Sequence, residues 1–220
     1  ILSKLGLVEG ESIQHAWINK SVEKAQRKVE GHNYDIRKHL LEFDDVANDQ
    51  RKVVYLQRRD LLEAEADLIA STAKKLRPEV ILDKVHEYMP PETLEEQWDV
   101  PGLEARIKKD FLLQLPVRSW LQQDGDMNAE EVAERVTEQV EIFYTEKTKD
   151  AEPESLHLME KQIMLQILDT QWKDHLSAMD NLRQGIGLRA HAQKNPIQEY
   201  KRESFELFQD LLYNIKSDVI

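Results

Sequence analysis

The sequence contains no cysteine, which excludes a disulfide frame and any thiolate metal site and makes a reducing compartment the economical setting. Glycine and proline are scarce, seven of each in 220 residues, so the turn-dense chain of an all-β protein is excluded. No run approaches the roughly 18 apolar residues of a membrane-spanning helix. The opening ILSKLGLVEGES has neither the basic start nor the apolar stretch of a signal peptide. A soluble or at most membrane-peripheral chain is therefore expected. There is no G-x-x-x-x-G-K-[ST] phosphate loop, so the chain alone cannot form a conventional P-loop nucleotide site. It starts at Ile1 rather than Met, and the expectation is a piece of something longer.

Charge and apolar side chains are plentiful instead, at 33% and 40%, which is enough to bury a real core and points to a mostly helical protein. The net charge of −12 is unevenly placed. Residues 1–77 hold 14 basic and 13 acidic side chains, residues 78–152 hold 8 and 19, and residues 153–220 hold 8 and 10. The acidic middle also carries Pro78, Pro90, Pro91, Pro101 and Pro116, with Pro153 at its edge, and so should be broken into short elements. The flanks read as long helices. The expected architecture is all-α: one long helix, a small helical domain inserted after it, and an antiparallel helical hairpin that returns to pack on the first helix.

The first flank has no Gly or Pro from His32 to Arg77, and its apolar residues fall in two heptad series on one face. These are Val22, Val29, Ile36 and Phe43, and Leu40, Ala47, Val54 and Leu61. A helix from about Trp17 to Glu65 would span roughly 70 Å by the helical rise, a strut rather than an ordinary domain helix. In the middle, Pro91, Pro101 and Pro116 each suggest a helix start. Asn128 with Glu131 matches the capping-box spacing ahead of a helix running to about Lys149. The last flank gives facing stripes on Leu156 to Gln184 and Pro196 to Ile220, joined by the 11-residue loop GIGLRAHAQKN, Gly185 to Asn195. Such a loop is longer than bundle connections usually are. From Arg183 to Arg202 five basic residues face a single acid, Glu199, so the loop reverses the sign of the chain and is placed to touch a partner.

Several enzymatic readings fail on context. Gly185-Ile-Gly187-Leu-Arg-Ala190 formally fits G-x-G-x-x-A but follows a helix, with no βαβ unit around it. The seven histidines include no pair at i,i+3 or i,i+4, the spacing that puts two metal ligands on one helix face. The carboxylates of Asp44, Asp45 and Asp49 read as a solvated face or as partners for Lys and Arg of a neighbouring helix. Trp172 with His175 reads as a helix-packing anchor rather than a ligand pocket. An acidic pI of 5.1 and a single basic patch with no aromatic interleaving beyond Tyr200 argue against nucleic-acid binding. No catalytic, cofactor-binding or metal-binding residue is assigned.

The exact strings add a second line of inference. AQRKVEGHNYDIRKHLLEFDDVANDQRKVVY (Ala25 to Tyr55), WDVPGLEARIKKDF (Trp98 to Phe111) and LDTQWKDHLSAMDNLRQGIGLRAHAQKNPIQEYKRESFELF (Leu168 to Phe208) resemble the C-terminal part of the SecA preprotein translocase ATPases. The match covers nearly the whole chain, in order. The resemblance implies a helical scaffold domain at residues 17–66 and 153–220, a helical wing domain at 67–152, and at 1–16 the exit from a second motor domain that this chain lacks. It implies that the last two helices are a two-helix finger whose loop meets the SecYEG channel and the unfolded preprotein through Ile186, Leu188, Arg189, His191 and Lys194. Further implied partners are the motor and preprotein-crosslinking domains, anionic lipid and a second copy of the protein. ATP and Mg would bind the absent motor domains, leaving this piece without activity alone. The implied location is the cytoplasm, peripherally at the inner face of the bacterial inner membrane. His191 stands where family members often carry Tyr, which puts a group that charges below about pH 6.5 in place of an aromatic one. A passive docking and regulatory module that controls motor ATPase and protomer contacts is the alternative. The candidate scaffold core is Leu40, Phe43, Ala47 and Val54 against Trp172, Met179, Leu207 and Leu211.

Overall fold

A computed structural model describes residues 16–189 and 195–220. Seven α-helices and one short 3-10 turn make up most of the described residues, with no strand among them. The chain divides into two compact units, residues 1–50 with 181–204 and residues 51–180 with 205–220. The expected exit segment at 1–16 falls outside the described residues except for Ala16.

Helix α1 runs Ala16–Glu63, within two residues of the expected span at either end and straight through Gly31. Its burial does not follow the heptad stripe. Residues 19–41 are all exposed, including Val22, Val29, Ile36 and Leu40 at 45% or more. Leu40 therefore does not belong to the core, contrary to the pattern. Contacts with the partner helices lie farther along, at Phe43 with Tyr200 of the last helix and at Asp44 with Arg183 of the one before it. A regular apolar stripe records which face is apolar and says nothing about where its partner stops.

Helix α2, Ala66–Tyr88, runs straight through Pro78, where a break was expected. Proline lacks the N–H that would bond the Lys74 carbonyl, an interior loss worth about 3 kcal/mol. Burial on both sides offsets it: Ile69 and Ala73 before the proline, Val80, Ile81 and Val85 after it. Pro91 also departs from expectation, opening no helix. It lies in a turn closed on the Pro90 carbonyl, which accepts from the Thr93 N–H at 3.0 Å and the Thr93 hydroxyl at 2.8 Å. Proline at the second position of such a turn is already set to the required φ.

The remaining starts agree with the sequence. Helix α3, Val100–Phe111, has Pro101 in its first turn, and the Asp99 carboxylate accepts from the Gly102 N–H at 2.9 Å. A Cβ on Gly102 would lie 2.2 Å from Asp99 Oδ2, so only glycine admits this cap. Helix α4, Val117–Gln123, follows Pro116. Helix α5, Ala129–Thr148, opens on a complete capping box in which Asn128 and Glu131 each accept from the other's backbone N–H. Around α2 to α5 lies one apolar cluster, including Ile81, Leu103, Ile107, Trp120, Val132 and Val136. Helices α2 and α5 share the most extensive contact within it among the described residues.

Helices α6, Pro153–Arg189, and α7, Pro196–Val219, complete the chain. With the second half of α1 they bury Val54, Leu168, Trp172 and Leu211, backed by Leu61, Leu176, Phe208 and Ile215. Of the candidate scaffold core, Val54, Trp172 and Leu211 are buried in this cluster, Met179 is buried outside it, and Phe43 is half-buried. Ala47 and Leu207 are half-buried. A third, smaller cluster joins Ile69 and Ala73 of α2 to Met164 of α6 and Val219 of α7.

Candidate functional site

The α6–α7 hairpin differs from the expected one in the length of its arms. Helix α6 extends through Gly185 and Gly187 to Arg189, so the first five residues of the expected 11-residue loop are helical. Interior glycine costs a helix roughly 1 kcal/mol relative to alanine, too little to end a 37-residue helix with a packed face. No neighbour requires Gly185 either, since a Cβ there would meet nothing within 4 Å. On the far side Asn195 caps α7: its side-chain oxygen accepts from the N–H of Ile197 at 3.0 Å, with Pro196 in the first turn.

Below this end the hairpin is tied to α1. Tyr200, 2% exposed, meets Phe43 edge-to-face with ring centres 4.7 Å apart. Arg183 Nη1 donates to Asp44 Oδ1 at 3.0 Å. The buried Gln50 amide donates to the Ser204 carbonyl at 3.0 Å, and Ser204 is fully buried. Small size at Ser204 is what admits this close approach, a signal that residue type alone conveys weakly. Asp44 thus takes the role proposed for the acidic run, partner to an arginine on a neighbouring helix.

Of the five candidate contact residues, Ile186 is described with its side chain, and it is 3% exposed. Leu188 and Arg189 lie on the last turn of α6, with side chains outside the described set. His191 and Lys194 lie outside the described residues. The basic patch is less free than its sequence count implied. Arg183 is paired with Asp44, and Arg202 sits 3.0 Å from Glu199 and 3.7 Å from Glu203. Lys201 remains exposed.

In the second unit Trp172 behaves as a packing anchor. It stacks on His175 at 5.4 Å and lies edge-on to Tyr55 at 6.5 Å. His175 is 5% exposed and contacts Phe208 edge-on at 5.8 Å. Burial pushes its pKa below the ordinary histidine value, and a hydrogen bond with the Leu207 backbone opposes that only partly. The sequence does hold one Glu-x-x-His, Glu154 to His157, a spacing used in carboxylate metal sites. His157 turns instead to Glu160, with Nδ1 and Oε2 3.1 Å apart.

Among the described residues no helix is long and apolar enough to cross a membrane. The SecA wing and scaffold domain family matches residues 12–220. The chain belongs to that family. Membership accounts for the all-helical fold and places this SecA wing and scaffold chain in the Sec protein-transport system.

Proposed function

We propose that this chain couples the ATP-driven movement of motor domains outside it to the movement of unfolded preprotein through the SecYEG channel, with the α6–α7 hairpin as the two-helix finger. Residues 17–66 and 153–220 form the scaffold in this reading, residues 67–152 the wing, and 1–16 the link to the motor. The supporting observation is the tied base of the hairpin. Phe43 on Tyr200, Asp44 on Arg183 and Gln50 on Ser204 fix both arms to α1 just below the connecting residues, so a push along α1 is passed to the hairpin end rather than absorbed by side-chain rearrangement. Leu188, Arg189, His191 and Lys194 are the contacts with preprotein and channel, a mixture of apolar and basic groups suited to many sequences. Ile186, buried as it is, contributes by holding this end as well as by any contact. The exposed stripe of Val22, Val29, Ile36 and Leu40 is the seat for motor and crosslinking domains, where ATP and Mg bind. The protein works in the cytoplasm, at the inner face of the bacterial inner membrane, where the basic end also meets anionic lipid. A second copy is a further partner.

The test is Arg189→Ala in the full-length protein. Preprotein transport should fall several-fold while basal ATPase stays near wild type. Equal loss of both activities counts against a gripping end. The burial of Ile186 and the pairing of Arg183 and Arg202 favour a second reading, in which the chain is a docking and regulatory module. That reading expects altered basal ATPase in hairpin variants with normal crosslinking of preprotein to the loop.

A further inference from the structure

Three helices face one open groove in the second unit. Asp60 and Ala64 of α1, Leu68, Thr72 and Leu76 of α2, and Leu212 and Lys216 of α7 form its walls. Within each helix these residues lie four apart, so each helix turns a single face to the groove. Buried Ile69 and Met164 also border it, which makes its depth apolar. The space measures about 610 Å³, within the roughly 300–1,000 Å³ of ligand sites. It is a cleft between helix faces rather than a closed pocket, and Leu68 on its wall is 55% exposed. A groove of this shape takes a helix, whose own apolar side chains recur at the same spacing.

The charges around the groove select the kind of helix. Asp60 stands on the α1 wall and Asp83 farther along α2. The Asp60 side chain is 63% exposed, and its ion pair with Arg59 is long, at 3.9 Å. Among the described residues Lys216 is the only lysine or arginine lining the groove, and Glu79 takes up its charge. Glu63, Glu65 and Asp67, all exposed, surround the turn from α1 to α2 ahead of Leu68. Lys161 reaches that turn but donates to the carbonyls of Leu62 and Ala64, at 2.7 and 2.9 Å. The groove is thus apolar inside and negative at its edges.

We propose that this groove docks an amphipathic helix of a partner protein, apolar towards Leu68 and Leu212 and carrying lysine or arginine on the flanks that meet Asp60 and Asp83. The apolar walls supply the contact. The carboxylates supply the choice among helices, because acidic flanks would bring like charges together. From Leu68 to Asp83 the α2 wall is about 22 Å long by the helical rise, the length of roughly 15 helical residues. None of the residues assigned to the hairpin end takes part, so the inference stands without the coupling role.

The probe is the fluorescein-labelled peptide LKKLLKLLKKLLKL, titrated with the 220-residue chain and read by anisotropy. Binding should saturate, and the peptide with glutamate in place of every lysine should bind at least about tenfold more weakly. Leu68→Asp, at an exposed position, should weaken the lysine peptide by about tenfold or more. Asp60→Lys with Asp83→Lys should do the same. A chain of net charge −12 attracts any cation, so the control is Glu134→Lys with Glu138→Lys, at exposed positions of α5. That pair removes the same charge and should change the affinity by less than about twofold. The proposal is overturned by the absence of saturable binding, by indifference to Leu68→Asp, by equal binding of the two peptides, or by equal losses from the groove pair and the α5 pair. Sedimentation of the chain without peptide tests the remaining occupant. A dimer that Leu68→Asp abolishes makes a second copy the occupant and overturns the proposal as well. Should the double groove variant not fold, Leu68→Asp and the two peptides decide alone.

Discussion

The apolar cluster of α2 to α5 and the first half of α1 both carry regular apolar stripes, yet one is sealed and the other bare. Leu103 and Val132 are fully buried among α2 to α5, whereas Val29 and Leu40 are 58% and 45% exposed on α1. The difference teaches that a short, capped, proline-punctuated segment carries its partners within itself. Asp99, Pro101, Asn128 and Glu131 set where α3 and α5 start, and short helices must meet their neighbours within a few turns. A 48-residue helix outruns its neighbours, and its stripe then waits for a surface supplied by something else.

The largest effect that sharpens this contrast is Leu103→Ala, expected to destabilise the chain by about 2–5 kcal/mol in urea unfolding. Leu40→Ala, the same chemical change, should cost under about 0.5 kcal/mol. Similar losses at both sites would erase the distinction. Acid comes next, through the cluster of α1, α6 and α7. His175 has a depressed folded-state pKa, so the unfolded chain binds its proton first, and stability falls as pH drops through the unfolded value near 6.5 and on towards the folded one. His175→Gln should flatten the fall between about pH 7 and 5 in urea midpoints measured across that range. An unchanged slope would put the acid sensitivity elsewhere. The smallest effect is a gain. Gly185→Ala fills open space on a helix and should raise stability by about 0.5–1 kcal/mol, read as a higher midpoint. A loss there would mean that this glycine serves the hairpin end in a way its helical surroundings do not.

The contrast also explains what the sequence made legible. The long α1, the helix starts at Pro101 and Pro116 and the Asn128 capping box were readable because each rests on a local rule: breakers, a fixed φ, a reciprocal pair of side chains. Pro78, Pro91 and Gly185 were misjudged by the same local rules. At Pro78 burial on both sides outweighs one missing hydrogen bond, at Pro91 a threonine three residues after Pro90 closes a turn, and at Gly185 a long packed helix absorbs a small penalty. For the candidate site, the basic count from Arg183 to Arg202 was correct as arithmetic. It did not reveal that Asp44, 139 positions away, takes up Arg183. Ile186 carried two readings at once, a place in the α6 stripe and a place at the hairpin end. Its burial favours the stripe. The burial of Ser204 under Gln50 had no sequence signal beyond its small size.

The bare stretch of α1 has a consequence for how the chain melts. A helix gains cooperativity by sharing contacts with neighbours, and one of about 20 residues without them frays gradually from its end. Residues 19–41 therefore give the heating curve a sloping helical signal that starts well before the sharp transition of the α2 to α5 cluster. Two-state fitting of ellipticity on this chain would understate its enthalpy. The slope itself would measure how much of α1 stands unclothed, and any protein surface that covers the stripe would announce itself by flattening it.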